Sequence, residues 1–125
     1  MKISPFYTIL FSFLISCDKV VVDPPVSCTE EFRYISIEVD GDSLTQFYTI
    51  RKLNSDTIRP TPNAPIFDNF YEVLNDSYSA VLKNKSEQFQ FIGVINDSTL
   101  VKLDYEIAAD ECHIFKISGP SYISL

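Results

Sequence analysis

The chain offers few residues able to do chemistry, and they are scattered. His113 is its only histidine and stands in Asp110-Glu111-Cys112-His113, where carboxylates, a thiol and an imidazole adjoin. That set is the raw material of a metal site or a catalytic dyad. Successive residues of an extended segment point to opposite faces, so Cys112 and His113 cannot both reach one ion, and no second histidine completes a ligand set. The expected role of His113 is a strand residue whose ring nitrogens are satisfied by neighbours. Asp40-Gly41-Asp42-Ser43 alternates oxygens in the manner of a calcium loop. Such a loop needs further ligands and a closing bidentate carboxylate, and none follows, so a turn is the simpler reading. The adjacent carboxylates Glu30-Glu31 and Asp110-Glu111 again point apart. Gly-x-Ser-x-Gly is absent, and with three glycines in all there is no phosphate-cradling loop. The sequence points away from an enzyme and requires no metal or cofactor.

The most specific stretch is the start. Lys2 precedes an almost wholly apolar run over 3–15, which closes on Leu14-Ile15-Ser16-Cys17. A basic start, an apolar stretch of about a dozen residues and a small residue before a cut form a secretory signal peptide. Thirteen residues in a helix rise roughly 20 Å, short of the ~30 Å hydrocarbon core, so a transmembrane anchor is the poorer reading. The last four residues resemble the lipobox of bacterial lipoproteins cut by signal peptidase II. That resemblance implies that Ser16 fills the position before the cut, Leu14 the third before it, and Cys17 becomes the acylated N-terminus. It implies a protein held in the bacterial envelope, with the outer membrane the expected location, by several acyl chains; one chain alone binds only marginally. The resemblance covers the leader and carries no activity.

With Cys17 committed to lipid, Cys28 and Cys112 remain, an even pair in an oxidising compartment. A metal or redox pair is the alternative, but Cys-x-x-Cys is missing, so a disulfide is expected. The net charge of −7 becomes about −8 once Lys2 leaves. An acidic surface repels nucleic acid and anionic headgroups, which leaves the acyl chains as the membrane contact.

Three segments follow: a signal peptide over 1–16, an extended tether over 17–28 that Asp23-Pro24-Pro25 keeps from becoming a helix, and a folded domain over 29–125. In the domain, Arg33, Ile35, Ile37 and Val39 alternate with polar partners, and a second β-rich run covers 44–53. With Asp40-Gly41-Asp42 between them, the two runs read as an antiparallel hairpin. Thr57-Ile58-Arg59 and 70–74 are short strand candidates, separated by a cluster of three prolines that excludes a central strand. Asp76 as an N-cap and Lys83 near an end predict a two-turn helix over 76–83. Phe89, Phe91, Gly93 and Ile95, then Val101, Leu103, Tyr105 and Ile107, mark two clear strands. A strand over 112–118 and a last one over 122–125 complete the pattern. The fold class is all-β, a small antiparallel β-sandwich of six or seven strands. A Cys28–Cys112 bond would make the first and penultimate strands start at the same end and run parallel, as in many immunoglobulin-like and transthyretin-like sandwiches. The ending Asp110-Glu111-Cys112-His113-Ile114-Phe115-Lys116-Ile117-Ser118-Gly119-Pro120 also resembles that of small bacterial lipoproteins with such a domain.

Phe67, Phe70 and Tyr71 follow the prolines, so a rigid loop would offer them as a binding ledge for protein or glycan, or they plug one end of the sandwich. Asp42-Ser43-Leu44, Asp56-Thr57-Ile58 and Asp97-Ser98-Thr99 resemble the acceptor pattern of a periplasmic O-glycosylation system, which implies glycan on Ser43, Thr57 and Ser98. The expected function is a lipid-anchored, non-enzymatic binding or structural module that recognises an envelope protein or glycan. A small envelope hydrolase or inhibitor with a loop-built site is the alternative. No oligomeric state follows from the sequence.

Overall fold

A computed structural model describes residues 27–125, so the leader, Cys17 and the tether up to residue 26 lie outside the described residues. Eight strands form two facing sheets: β1 (Tyr34–Asp40), β2 (Gln46–Arg51), β3 (Asp56–Ile58), β4 (Phe70–Asn75), β5 (Lys85–Ile95), β6 (Ser98–Ala109), β7 (Ile114–Ser118) and β8 (Tyr122–Ser124). One sheet has the order β4-β1-β8, the other β3-β2-β5-β6-β7. The all-β sandwich is as expected, with the three-residue strands β3 and β8 raising the count above six or seven.

Period two explains what goes inside. Ile35, Ile37 and Val39 of β1 face Phe47 and Thr49 of β2 across a core that also takes Phe89, Phe91, Tyr105 and Ile107. Phe47 meets Tyr71 edge to face at 5.0 Å, joining the two sheets through their rings. The Thr49 hydroxyl donates to the carbonyl of Val73 at 2.6 Å, so this buried polar group is satisfied across the core.

Three expectations need correction. β1 and β2 are not a hairpin: β1 pairs with β4 and β8, β2 with β3 and β5, and the Asp40–Ser43 corner passes from one sheet to the other. Alternation dictates which side chains turn inward, not which strand receives the backbone bonds. Two strands facing each other across a core therefore read like two neighbours in one sheet. The strand parallel to β1 is β8, whereas β7 lies at the edge of the opposite sheet. The helix over 76–83 is a single 3-10 turn, Asp76–Tyr78, capped by Asn75, whose Oδ1 accepts from the Ser77 N–H at 2.9 Å. Asp76 is buried and has other partners, and Leu82 turns into the core four residues after Tyr78, so one turn suffices.

The disulfide is present. Cys28 and Cys112 have Cα atoms 5.3 Å apart, well within bonding geometry, and tie the entry to β1 to the corner before β7.

Candidate ligand cleft and histidine corner

His113 sits beside that disulfide at 7 % exposure, and both ring nitrogens are engaged. Nδ1 lies 2.7 Å from Asp76 Oδ2, and Nε2 lies 2.9 Å from the Thr29 hydroxyl. With Nδ1–H donated to the carboxylate, Nε2 accepts the threonine proton. The same carboxylate accepts the N–H of Arg33 at 2.7 Å and of Ile114 at 2.9 Å. Asp110 accepts the N–H of Cys112 and of His113 at 2.7 and 2.8 Å. Burial alone would raise the pKa of Asp76, yet the Ile114 and Arg33 N–H groups and His113 outweigh it and hold the carboxyl below its ordinary value. Asp110 is lowered as well, by the N–H bonds of His113 and Cys112.

The order carboxylate, imidazole, hydroxyl is that of nucleophilic catalysis. Here the carboxylate also holds two backbone N–H groups from separate elements, so the network fastens the corner together. Among the described residues no three His, Cys, Asp or Glu side chains converge as metal ligands.

The feature open to a ligand lies on the outer face of the three-stranded sheet. Between β1 and β4 the register skips Val73: Ile35 pairs with Leu74, but Ser36 pairs with Glu72. The extra residue is a β-bulge, and it changes which side chains share a face. Tyr71, Val73 and Leu74 all turn inward, while Glu72 and Asn75, three apart, both turn outward. Asn75 Nδ2 then donates to Glu72 Oε1 at 3.1 Å, while its Oδ1 is held by Ser77. This fixes the carboxylate in place.

The proline-rich loop over 59–66 lies above these residues. It encloses two adjoining clefts that share Pro60, Thr61, Glu72 and Asn75. The first, of ≈ 490 Å³, is apolar: Phe32 and Tyr34 stand edge to face at 5.1 Å and confront Pro62, Pro65 and Ile66. The second, of ≈ 420 Å³, opens between β3 and β4 and is lined by hydroxyl groups from Thr57, Thr61, Ser77 and Tyr78. Burial raises the Tyr78 phenol above its ordinary range, so it stays a neutral donor.

The predicted aromatic ledge is only partly here. Phe67 is exposed and packs on half-buried Phe70 with ring centroids 4.4 Å apart. Tyr71 does not belong to it: at 1 % exposure it is a core residue, and its hydroxyl accepts the N–H of Leu44 at 2.9 Å. It follows Phe70 on a strand and so takes the opposite face. Ser43, Thr57 and Ser98 are exposed, Ser43 in the corner between sheets, Thr57 within β3 and Ser98 at the start of β6. Phe32, Tyr34, Glu72 and Asn75 were not singled out from the sequence. The one available signal was Glu72, a lone charge inside the apolar run Phe70-Tyr71-Glu72-Val73-Leu74.

The chain thus belongs to the class of disulfide-clipped, all-β sandwiches with a cleft on one outer face. Compared with protein-family models, curated proteins and solved structures, it has no match.

Proposed function

We propose that the chain is a lipid-anchored envelope protein whose domain binds a ligand in the Phe32–Tyr34–Glu72 cleft without transforming it. The cleft carries this reading. It combines a concave apolar wall with a few fixed polar groups, the usual composition of a binding site. Its position also supports it, since the loop that roofs it is stiffened by prolines and needs little ordering on binding. The disulfide supports an oxidising compartment, in line with an envelope location, and outer-membrane residence is what the lipobox resemblance implies. Exposure of Ser43, Thr57 and Ser98 leaves all three accessible as proposed O-glycan acceptors.

The anchor has its own test. Cys17→Ser is expected to abolish incorporation of a tagged fatty acid and to leave the precursor uncut. Persistent label in the variant would refute the lipid assignment. The binding site is tested by photocrosslinking in cells: a photoreactive phenylalanine analogue at Tyr34 is expected to capture a ligand, and the same residue at exposed Leu100, outside the cleft, to capture none.

A further inference from the structure

Glu72 is the buried carboxylate that the fold leaves without a countercharge. It is 8 % exposed. Among the described residues its hydrogen bond is the single one from Asn75 Nδ2, and no basic side chain pairs with it. The other buried or nearly buried carboxylates are answered. Glu87 accepts from Nε and Nη2 of the Arg51 guanidinium, each at 2.7 Å, and Asp76 takes His113 and two backbone N–H groups. Arg59, at the rim of the polar cleft, is turned away over the ring of Tyr48, 4.7 Å from its centroid. A carboxylate has about four acceptor positions, and the Glu72 oxygen that Asn75 does not reach keeps contact with the cleft, where a ligand's donor can meet it.

The surroundings say what would complete it. Glu72 lies where the two clefts join, with aromatic and proline side chains on one side and hydroxyl groups on the other. A carboxylate that shares a cleft with two aromatic rings is an environment that selects an organic cation, by charge-assisted hydrogen bonds to the acid and by attraction to the rings. The two clefts adjoin at Glu72, one apolar and one lined by hydroxyl groups, so a ligand filling both carries its cation between an apolar and a polar segment. An extended peptide with a basic side chain has that layout, and the net charge of −7 on this chain favours such a partner.

We infer that the cleft recognises an arginine or lysine side chain within an extended, partly apolar segment of a protein partner, with Glu72 as its counter-ion. This rests on the cleft being the ligand site.

The test uses the lipidated protein in phosphatidylcholine nanodiscs and a fluorescent, capped Phe-Pro-Arg-Ser-Thr peptide, with a second peptide carrying citrulline, the neutral isostere, in place of arginine. Arginine peptide is expected to bind at least tenfold more tightly than citrulline peptide, with affinity falling as salt rises. Glu72→Gln should abolish that preference. Because glutamine keeps an oxygen for Asn75, the variant should melt at the same or a higher temperature than the parent, as expected where a largely buried charge had no countercharge. Equal binding of both peptides, lost in Tyr34→Ala but not in Glu72→Gln, would overturn the cationic assignment and leave the cleft as a binding site. Failure of both peptides, or Glu72-dependent binding of an oligomeric amino sugar in their place, would overturn the peptide assignment.

Discussion

Asp76→Ala is expected to lower the stability of the folded domain by roughly 3–5 kcal/mol, because it removes the shared acceptor of several buried donors, each costing about 1–3 kcal/mol when left unpaired. The carboxylate accepts from Arg33 ahead of β1, from His113 beside the disulfide and from Ile114 at the start of β7. Alanine strands two backbone N–H groups and an imidazole N–H where water has little access. Asp76→Asn should cost less, since the amide keeps one acceptor oxygen. The acid limb gives a second readout. Asp76 has its carboxyl lowered in the fold, so its contribution is complete above the ordinary carboxylate range, about pH 4, and is lost as pH falls through the lowered folded value. Glu87 acts in the same direction, held down first by its bond from Arg51. Urea denaturation at neutral pH and at successively lower pH should show the parent losing stability on acidification, and Asp76→Ala losing less. Parallel acid limbs in the two proteins would contradict this.

Removing the disulfide comes second. Cys28→Ala with Cys112→Ala should cost about 2–5 kcal/mol, because the bond spans a sequence separation of 84 and restrains a long loop in the unfolded chain. It has a local role too. Cys28 holds Thr29 where its hydroxyl meets His113 Nε2, and Cys112 supplies one of the two N–H groups that Asp110 accepts, His113 the other. The double cysteine variant and Asp76→Ala should therefore be non-additive, since both act on one network. Denaturation midpoints of the four proteins in the cycle measure it. A cost below about 1 kcal/mol for the cysteine pair would show that the corner holds without the bond.

These residues illustrate what could be read from the sequence. Parity of the cysteines after Cys17 was enough to pair Cys28 with Cys112. Alternation in β1, β5 and β6 placed Ile37, Phe91 and Tyr105 inward, where all three are buried completely. His113 was expected to be a satisfied strand residue, and it is satisfied just ahead of β7. Its partner Asp76 is 37 positions away, and the same residue looked like a helix cap because aspartate before a short apolar run serves either purpose. The cleft was hidden for a different reason. Strict alternation puts Glu72 and Asn75 on opposite faces, and only the unpaired Val73 brings them together. A bulge depends on the partner strand, which local pattern does not specify. Of the two readings open for Phe67, Phe70 and Tyr71, ledge or plug, Tyr71 goes to the core, because proximity to a proline loop says nothing about which face a residue takes.

Photocrosslinking at Tyr34 in living cells, with Cys17 intact and with Leu100 as the control position, tests the account most directly. One discrete adduct is expected from Tyr34, absent from Leu100 and diminished when Glu72 is replaced by glutamine in the same chain. Equal capture from both positions, or none from Tyr34 in a chain that is lipidated and folded, would contradict it.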